Sequence, residues 1–242
     1  MVTQIQATRP TNDCLSPRAA RVTRSLLGYG VLAGPFYVLV VLGQALLRPG
    51  FDLAHDDASL LSNGAFGWIQ IANFLLTGAM VLAFAAGLRR AFETGRARTW
   101  GPLLVAIYGL GLVGAGVFSA DPMNGFPIGT PAGRPAVITT HGMLHIVVAG
   151  LAFLALIAAC LVIARRYAAQ HLAGHARFSV ATGIIFLLAF VGVASGSSSA
   201  LIVLAFWIGL LLAWSWMASV AIHEYRALGA AAQPAEIRDG GR

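Results

Sequence analysis

The sequence alternates between long apolar runs and short segments that hold nearly all of its charged residues. A run of about 20 predominantly apolar residues is long enough to cross a hydrocarbon core about 30 Å thick as an α-helix. Such runs occur at Ser25 to Leu47, Trp68 to Leu88, Trp100 to Ser119, Thr139 to Ala164, Phe178 to Ser195 and Ala200 to Ile222. The pattern therefore predicts an all-α fold, an integral membrane bundle of six transmembrane helices.

The limits of the predicted transmembrane domain follow from these runs. Residues 25–222 form the domain, and residues 1–24 and 223–242 are short polar tails that we expect to be disordered. The apolar run after Arg24 is too long for the hydrophobic region of a signal peptide, so we expect the first helix to be retained as an anchor. The segment Gly196 to Ser199 predicts a tight hairpin between the fifth and sixth helices.

Composition supports the membrane assignment and excludes other classes of protein. Hydrophobic residues make up 58% of the chain and charged residues 10%, whereas about 25% of the residues in soluble domains are charged. The formal net charge of +7 does not indicate a nucleic-acid-binding protein, because all 16 basic residues are arginines spread over the segments between apolar runs. The lack of lysine, together with abundant alanine and glycine, indicates a GC-rich bacterial genome.

The positions of the arginines predict the orientation of the bundle. Cytoplasmic segments of membrane proteins carry an excess of basic residues. If both termini are cytoplasmic, only Arg48 and Arg134 of the 16 arginines lie outside. The acidic residues of the outer segments are Asp52, Asp56, Asp57 and Asp121. The two arginines and four aspartates give the outer segments a net charge of 2 − 4 = −2. We therefore expect a multi-pass protein of the inner (plasma) membrane with cytoplasmic N- and C-termini.

Polar side chains inside the predicted helices are concentrated in the outer halves of those helices. Such side chains are costly in a membrane and usually face a cavity or a neighbouring helix. On the second helix they recur at intervals of three and four residues, which places them on one face. We interpret this group as the lining of an outward-facing polar pocket for a small ligand. The residues assigned to the pocket are Gln44, Gln70, Asn73 and Thr77.

Two histidines one helical turn apart, His141 and His145, are the sharpest candidate for chemistry. Two imidazoles at this spacing can share a metal ion, and Asp121 could supply an oxygen ligand, which predicts a zinc site with an open coordination position. The alternative is structural: His145 bonds to a neighbouring helix, and His141 lies in the membrane interface. The sequence has no His-Glu-x-x-His pattern that would favour the metal.

Several short motifs follow one another through the membrane portion. They are Gly34-Pro35-Phe36, Arg48-Pro49-Gly50-Phe51-Asp52, Ser59-Leu60, Gly67-Trp68-Ile69-Gln70, Asp121-Pro122, Gly125-Phe126-Pro127 and His141-Gly142-x-x-His145. This series, which extends over about Leu26 to Ile222, resembles the domain-of-unknown-function 998 family of bacterial membrane proteins. The resemblance implies a multi-helix membrane fold and brings no established activity. The residues that it singles out are Asp52, Ser59, Trp68, Gln70, Asp121, His141 and His145.

Three functions are compatible with this pattern. The first is a membrane protein that binds a metal ion, a small molecule or a lipid in an outward-facing pocket. The second is a metal-dependent hydrolase of outer-leaflet lipids or amides, in which His141, His145 and Asp121 hold zinc and Ser59 or Asp52 assists proton transfer. The third is a non-catalytic subunit that packs against another membrane protein. The sequence assigns no substrate, oligomeric state or protein partner, and contact with the bilayer is common to all three.

Overall fold

The computed structural model describes residues 16–231, and within that range the chain forms six α-helices and one short 3₁₀ helix without any β-strand. The helices are α1 (Pro17–Leu47), α2 (Gly67–Ala91), α3 (Ala97–Val117), α4 (Thr140–Ala169), α5 (Ala173–Ala194) and α6 (Ala200–Ala231), and the 3₁₀ helix is Ala58–Ser62. Each α-helix is long and apolar enough to cross a membrane. The predicted all-α, multi-pass fold is thereby confirmed.

The first and last helices extend beyond the apolar runs that predicted them. Helix α1 begins at Pro17, within the segment 1–24 predicted to be a disordered tail, because Ser16 caps it by accepting a hydrogen bond from the Ala19 amide at 3.3 Å and proline is favoured in the first helical turn. Helix α6 continues to Ala231, into the predicted tail 223–242. The remaining tail residues, 1–15 and 232–242, lie outside the described part of the chain.

The helices pack in a ring in which each contacts the next and α6 returns to α1. Large side chains such as Phe84, Tyr108 and Trp216 fill the middle of the bundle and are at most 1% exposed. Apolar side chains on the outer surfaces, such as Leu39 and Leu188, are largely exposed, as expected where lipid rather than water is the surrounding medium.

Two glycines of α1 allow the ring to close. Gly30 lies against Phe84 of α2, and a β-carbon at Gly34 would stand only 2.9 Å from Cβ of Trp214 on α6. Small residues of this kind let neighbouring helix backbones approach closely. The glycine pair therefore serves packing within the chain.

Three connections meet at one end of the bundle: residues 48–66, 118–139 and 195–199. We call this end the loop face and the opposite end the tail face. The Asn124 side-chain amide donates to the His55 carbonyl at 3.2 Å, which joins the two longer connections. The short connection confirms that the fifth and sixth apolar runs are two helices joined by a tight hairpin.

Candidate ligand-binding site

A cavity of about 530 Å³ occupies the loop-face half of the bundle. This volume falls within the range of roughly 300 to 1,000 Å³ that is usual for small-molecule sites. Every helix contributes to its apolar wall. The contributing residues include Tyr37 of α1, Phe74 of α2, Leu112 of α3, Phe153 of α4, Phe190 of α5 and Phe206 of α6.

Polar side chains line the cavity mainly through the connections of the loop face. They include His55, Asp57, Asn124, Arg134 and Ser197, together with His145 from α4. An apolar body with a few polar groups is the usual arrangement of a site for a small organic ligand, in which the apolar wall supplies affinity and the polar groups fix orientation.

Asp57 is the acidic group of the cavity wall whose side chain lacks a partner, and the indole Nε1 of Trp207 is also buried there without one. The Asp57 carboxylate accepts no hydrogen bond from any residue in the described range, and its Oδ1 is fully buried. Burial, followed by the charge of the adjacent Asp56, raises the pKa of Asp57 to about 6. Leaving a buried acceptor unpaired costs about 1–3 kcal/mol. The carboxylate is therefore available to a hydrogen-bond donor or a cation brought by a ligand.

The neighbouring acidic residues of the same connection each accept at least one hydrogen bond within the protein, although Oδ1 of Asp56 is buried without a partner. The Asp52 amide donates to Oδ2 of Asp56 at 2.8 Å, and burial raises the pKa of Asp56. The Asp52 carboxylate accepts from the Ala54 amide and pairs with Nδ1 of His55, both at 2.8 Å, and these bonds lower the pKa of Asp52.

Of the two catalytic candidates from the sequence, only Ser59 lies on the cavity wall. Its backbone carbonyl accepts from the Ser62 hydroxyl at 2.6 Å. Asp52 lies outside the wall, and its side chain is 59% exposed where it pairs with His55. The arrangement places no proton-transfer pair of Ser59 and Asp52 at the cavity.

Asp121, the predicted oxygen ligand, fixes the start of α4. Its two oxygens accept from the Thr139 amide at 2.9 Å and from the Thr139 hydroxyl at 2.6 Å. The Thr139 hydroxyl in turn accepts from the Gly142 amide at 3.0 Å, as an N-cap residue does. A carboxylate next to a helix N-terminus is also stabilised by the helix dipole. Both oxygens of Asp121 are thus occupied by the helix cap.

The two histidines of α4 have different surroundings. His145 is 6% exposed, lies on the cavity wall, and its Nδ1 donates to the Phe118 carbonyl at 2.7 Å. His141 is exposed, and its ring centroid lies 5.8 Å from that of Phe118. Within residues 16–231 no three His, Cys, Asp or Glu side chains stand together as possible ligands of one metal ion. The structure therefore places Asp121 and His145 on the same cavity wall and leaves His141 outside it, so the three do not form the ligand set that the sequence suggested.

The residues predicted to line the pocket form instead a ladder of hydrogen bonds between α1 and α2. The Gln44 side-chain amide donates to Oε1 of Gln70 at 2.9 Å. Asn73 donates to the same oxygen and to the Tyr37 carbonyl, both at 3.2 Å, and Thr77 donates to Oδ1 of Asn73 at 3.2 Å. All four side chains are at most 6% exposed, and none belongs to the cavity wall. These polar side chains therefore face a neighbouring helix and not a cavity, which are the two usual positions of polar groups inside a membrane.

The two arginines of the loop face fasten its connections. The Arg48 guanidinium donates to the carbonyls of Leu61 and Asn63, at the end of the 3₁₀ helix, and lies 4.7 Å from the Phe126 ring centroid. Arg134 donates to the carbonyls of Ser195 and Gly196 at 2.8 and 3.0 Å. These contacts tie residues 118–139 to both of the other connections. The sequence had placed the two arginines at this end without indicating their partners.

Comparison with known proteins gives a family and no activity. A family model matches residues 31–223, and its description is "Protein of unknown function (DUF998)". The match confirms the resemblance carried by the motifs from Gly34 to His145. No curated protein matches the chain. No solved structure matches it either.

Proposed function

We propose, for a chain that belongs to the DUF998 family of proteins of unknown function, that it binds a small amphipathic molecule in the cavity at its loop face. An apolar cavity of about 530 Å³, with an unpaired carboxylate in its wall whose Oδ1 is buried, supports this proposal. The apolar part of the ligand occupies the space among Phe74, Phe153 and Phe206. A hydrogen-bond donor or positive charge on the ligand pairs with Asp57.

The chemistry of Asp57 favours a ligand that carries an amine or a hydroxyl group. With a pKa of about 6, the carboxyl is mainly ionised at neutral pH. An ionised carboxylate only accepts hydrogen bonds, and its bonds with charged donors are about twice as strong as bonds between neutral groups. A ligand with a terminal carboxylate would instead place two like charges together in a poorly solvated site.

The surroundings of α4 support a binding pocket over a subunit that only packs against a partner. If packing were its sole role, the polar stripe of α4 would face lipid or another protein. His145 faces the cavity, and Gly142 beside it also lines the wall. The hydrolase hypothesis keeps no specific support, because Asp121 is committed to the cap of α4 and His141 lies apart from the cavity wall.

The loop face lies on the outer side of the inner (plasma) membrane in this proposal. Its support is the distribution of arginines, of which only Arg48 and Arg134 belong to the loop face. The test uses a chain whose native cysteines are replaced by serine, with Ala132→Cys on the loop face or Thr94→Cys on the tail face. A membrane-impermeant maleimide added to intact cells should label the first variant and not the second. The reverse labelling would overturn the orientation.

The binding proposal is tested with three ligands of equal chain length: decylamine, decanol and decanoate. Each displaces a fluorescent apolar probe from the detergent-purified protein. Decylamine should displace the probe with an affinity about tenfold higher than that of decanoate, because only the amine pairs favourably with Asp57. The affinity of decanol, which can donate one hydrogen bond, should lie between the affinities of decylamine and decanoate.

Asp57→Asn provides the residue-level test, with Glu93→Gln on the tail face as a control that makes the same acid-to-amide change. Asp57→Asn should remove the preference for decylamine while decanol still binds, and Glu93→Gln should behave as wild type. Unsaturable displacement by all three ligands in the wild type would contradict the proposed function. An undiminished amine preference in Asp57→Asn would contradict the assigned role of the carboxylate.

A further inference from the structure

The facing stripes of α4 and α5 become more exposed toward the loop face. On α4 the stripe consists of Ile157, Phe153, Gly150 and Ile146, which lie three or four residues apart on one side of the helix. Ile157 is 7% exposed and Ile146 is 57% exposed. Exposure therefore rises along a single helix side as it approaches the loop face.

The opposing stripe of α5 changes in the same way. Phe186 is 1% exposed, Phe190 is half-buried and Ala194 is exposed. Deeper in the membrane the two helices are close, since a β-carbon at Gly183 would stand 3.1 Å from Cβ of Cys160. Two facing stripes that lose burial together indicate that the helices themselves diverge.

The gap between the diverging helices is continuous with the cavity. Ile146, Gly150, Phe190 and Ala194 all belong to the cavity wall. The floor of the gap is the pair Phe153 and Phe190, whose ring centroids lie 5.4 Å apart. The side of the gap away from the cavity lies at the depth of the bilayer, since both helices are membrane-spanning.

A loop segment forms the upper edge of the gap. Pro135 and Ile138 line the cavity beside Arg134. The Arg134 guanidinium holds this segment against the end of α5 through the carbonyls of Ser195 and Gly196. The gap is thus bounded by two helices at its sides, by the Phe153–Phe190 pair below and by residues 131–138, which we call the strap, above.

We infer that the gap between α4 and α5 is a lateral opening through which the acyl chain of a bilayer phospholipid reaches the cavity. The inference rests on the proposed function and names the ligand class, a membrane lipid from the leaflet at the loop face. An apolar opening in contact with hydrocarbon admits a lipid chain without exposing it to water. The polar end of the lipid, whose headgroup carries an amine, then lies near the strap, where that amine pairs with the Asp57 carboxylate.

Gly150 allows the opening to be narrowed without disturbing the helix. The nearest atom to a β-carbon at this position is Cζ of Phe190 at 3.9 Å, so a side chain projects into the gap. Gly150→Leu therefore fills the opening. The matched control is Gly43→Leu at the loop-face end of α1, where a β-carbon meets nothing within 4 Å. Both changes replace a helical glycine by the same residue.

The experiment incorporates the full chain into vesicles containing a phospholipid with a diazirine in its acyl chain. After irradiation, mass spectrometry measures labelling of the cavity segment of α6 that includes Phe206. Wild type and Gly43→Leu should be labelled equally, and Gly150→Leu should show about tenfold less cavity labelling, since forcing a chain past an overpacked site carries a penalty of that order. Labelling of the lipid-facing surface of α6 at Ile208 should be the same in all three.

A second probe separates failure of the opening from failure of the cavity. A short-chain, water-soluble diazirine lipid is added to the same proteins in detergent, where it can approach from the loop face. Cavity labelling by this probe, combined with equal labelling of wild type and Gly150→Leu by the bilayer phospholipid, would overturn the lateral opening and leave the binding function standing. Failure of both probes to label the cavity would overturn both proposals.

Discussion

The carboxylate of Asp121 occupies the space that a β-carbon at Gly142 would need. This contact explains why a glycine follows His141 in the chain, because Asp121 must come this close to bond with Thr139 and cap α4. The aspartate and the glycine, which are far apart in sequence, therefore form one structural unit at the loop face.

Gly142→Ala should destabilise the protein by about 1–3 kcal/mol, because the new methyl group displaces Asp121 and weakens the cap of α4. The matched control is Gly174→Ala in the first turn of α5, where a β-carbon meets nothing within 4 Å. That change should leave stability unchanged or raise it by up to about 1 kcal/mol, as expected from helix propensity. The melting temperature in detergent reports the stability of both variants. Equal changes in melting temperature for the two variants would refute the proposed contact between Asp121 and Gly142.

Asn73 lies at the centre of the hydrogen-bond ladder between α1 and α2, so its removal should affect stability and leave binding intact. Hydrogen bonds between transmembrane helices contribute about 0.6 kcal/mol on average. Asn73→Ala removes bonds to Tyr37, Gln70 and Thr77 and should cost about 1–2 kcal/mol in unfolding free energy. Decylamine affinity should stay at the wild-type value. A tenfold loss of affinity with unchanged stability would restore the pocket role that the sequence suggested.

The ladder shows where sequence reasoning about this site reaches its limit. The spacing of Gln70, Asn73 and Thr77 places them on one side of α2, and the structure agrees. Which neighbour that side meets depends on how the ring of helices closes. That closure is determined by contacts distant in sequence, such as Gly34 against Trp214. Polar groups turned toward a cavity and polar groups turned toward a helix have the same pattern in sequence.

The fold itself was predictable, because the length of an apolar run follows from the thickness of the bilayer. The cavity was harder to predict from sequence, since most of its wall consists of aromatic and aliphatic side chains that cannot be distinguished from core residues by type. Asp57 lay in a recognised acidic segment, yet nothing local distinguishes it from Asp52 or Asp56. Its unpaired state depends on where residues 48–66 dock against the helices, and that is a tertiary property.

Arg134 should control the mobility of the strap and the hairpin that it joins. Arg134→Gln removes the hydrogen bonds to Ser195 and Gly196, so backbone amide exchange in residues 131–138 and 195–199 should become faster. Arg48→Gln serves as the comparison, because its partners are Leu61 and Asn63 in the other connection. That variant should accelerate exchange in residues 58–66 instead. Identical exchange maps for the two variants would show that the arginines do not fasten separate segments.

Stability should depend on pH through Asp57. Its folded pKa of about 6 lies above the ordinary 3.8, so the folded state holds more protons between these values and stability falls as pH rises through that window. Above pH 6 the ionised group destabilises the wild type relative to Asp57→Asn, by about 1–2 kcal/mol for a half-buried side chain. The variant should therefore melt higher at pH 7.5, and the difference should shrink toward pH 5. A difference in melting temperature between Asp57→Asn and wild type that does not change with pH would contradict the raised pKa of Asp57.

Two tryptophan substitutions on α4 distinguish ligand binding inside the cavity from binding elsewhere on the protein. Ala149 lies on the cavity wall, whereas Val147, two residues away, is 49% exposed and lies outside the wall. Ala149→Trp should fill the space and lower decylamine affinity at least about tenfold, while Val147→Trp should bind as wild type does, both variants being checked for an unchanged melting temperature. Equal affinity in the two well-folded variants would contradict binding in this cavity.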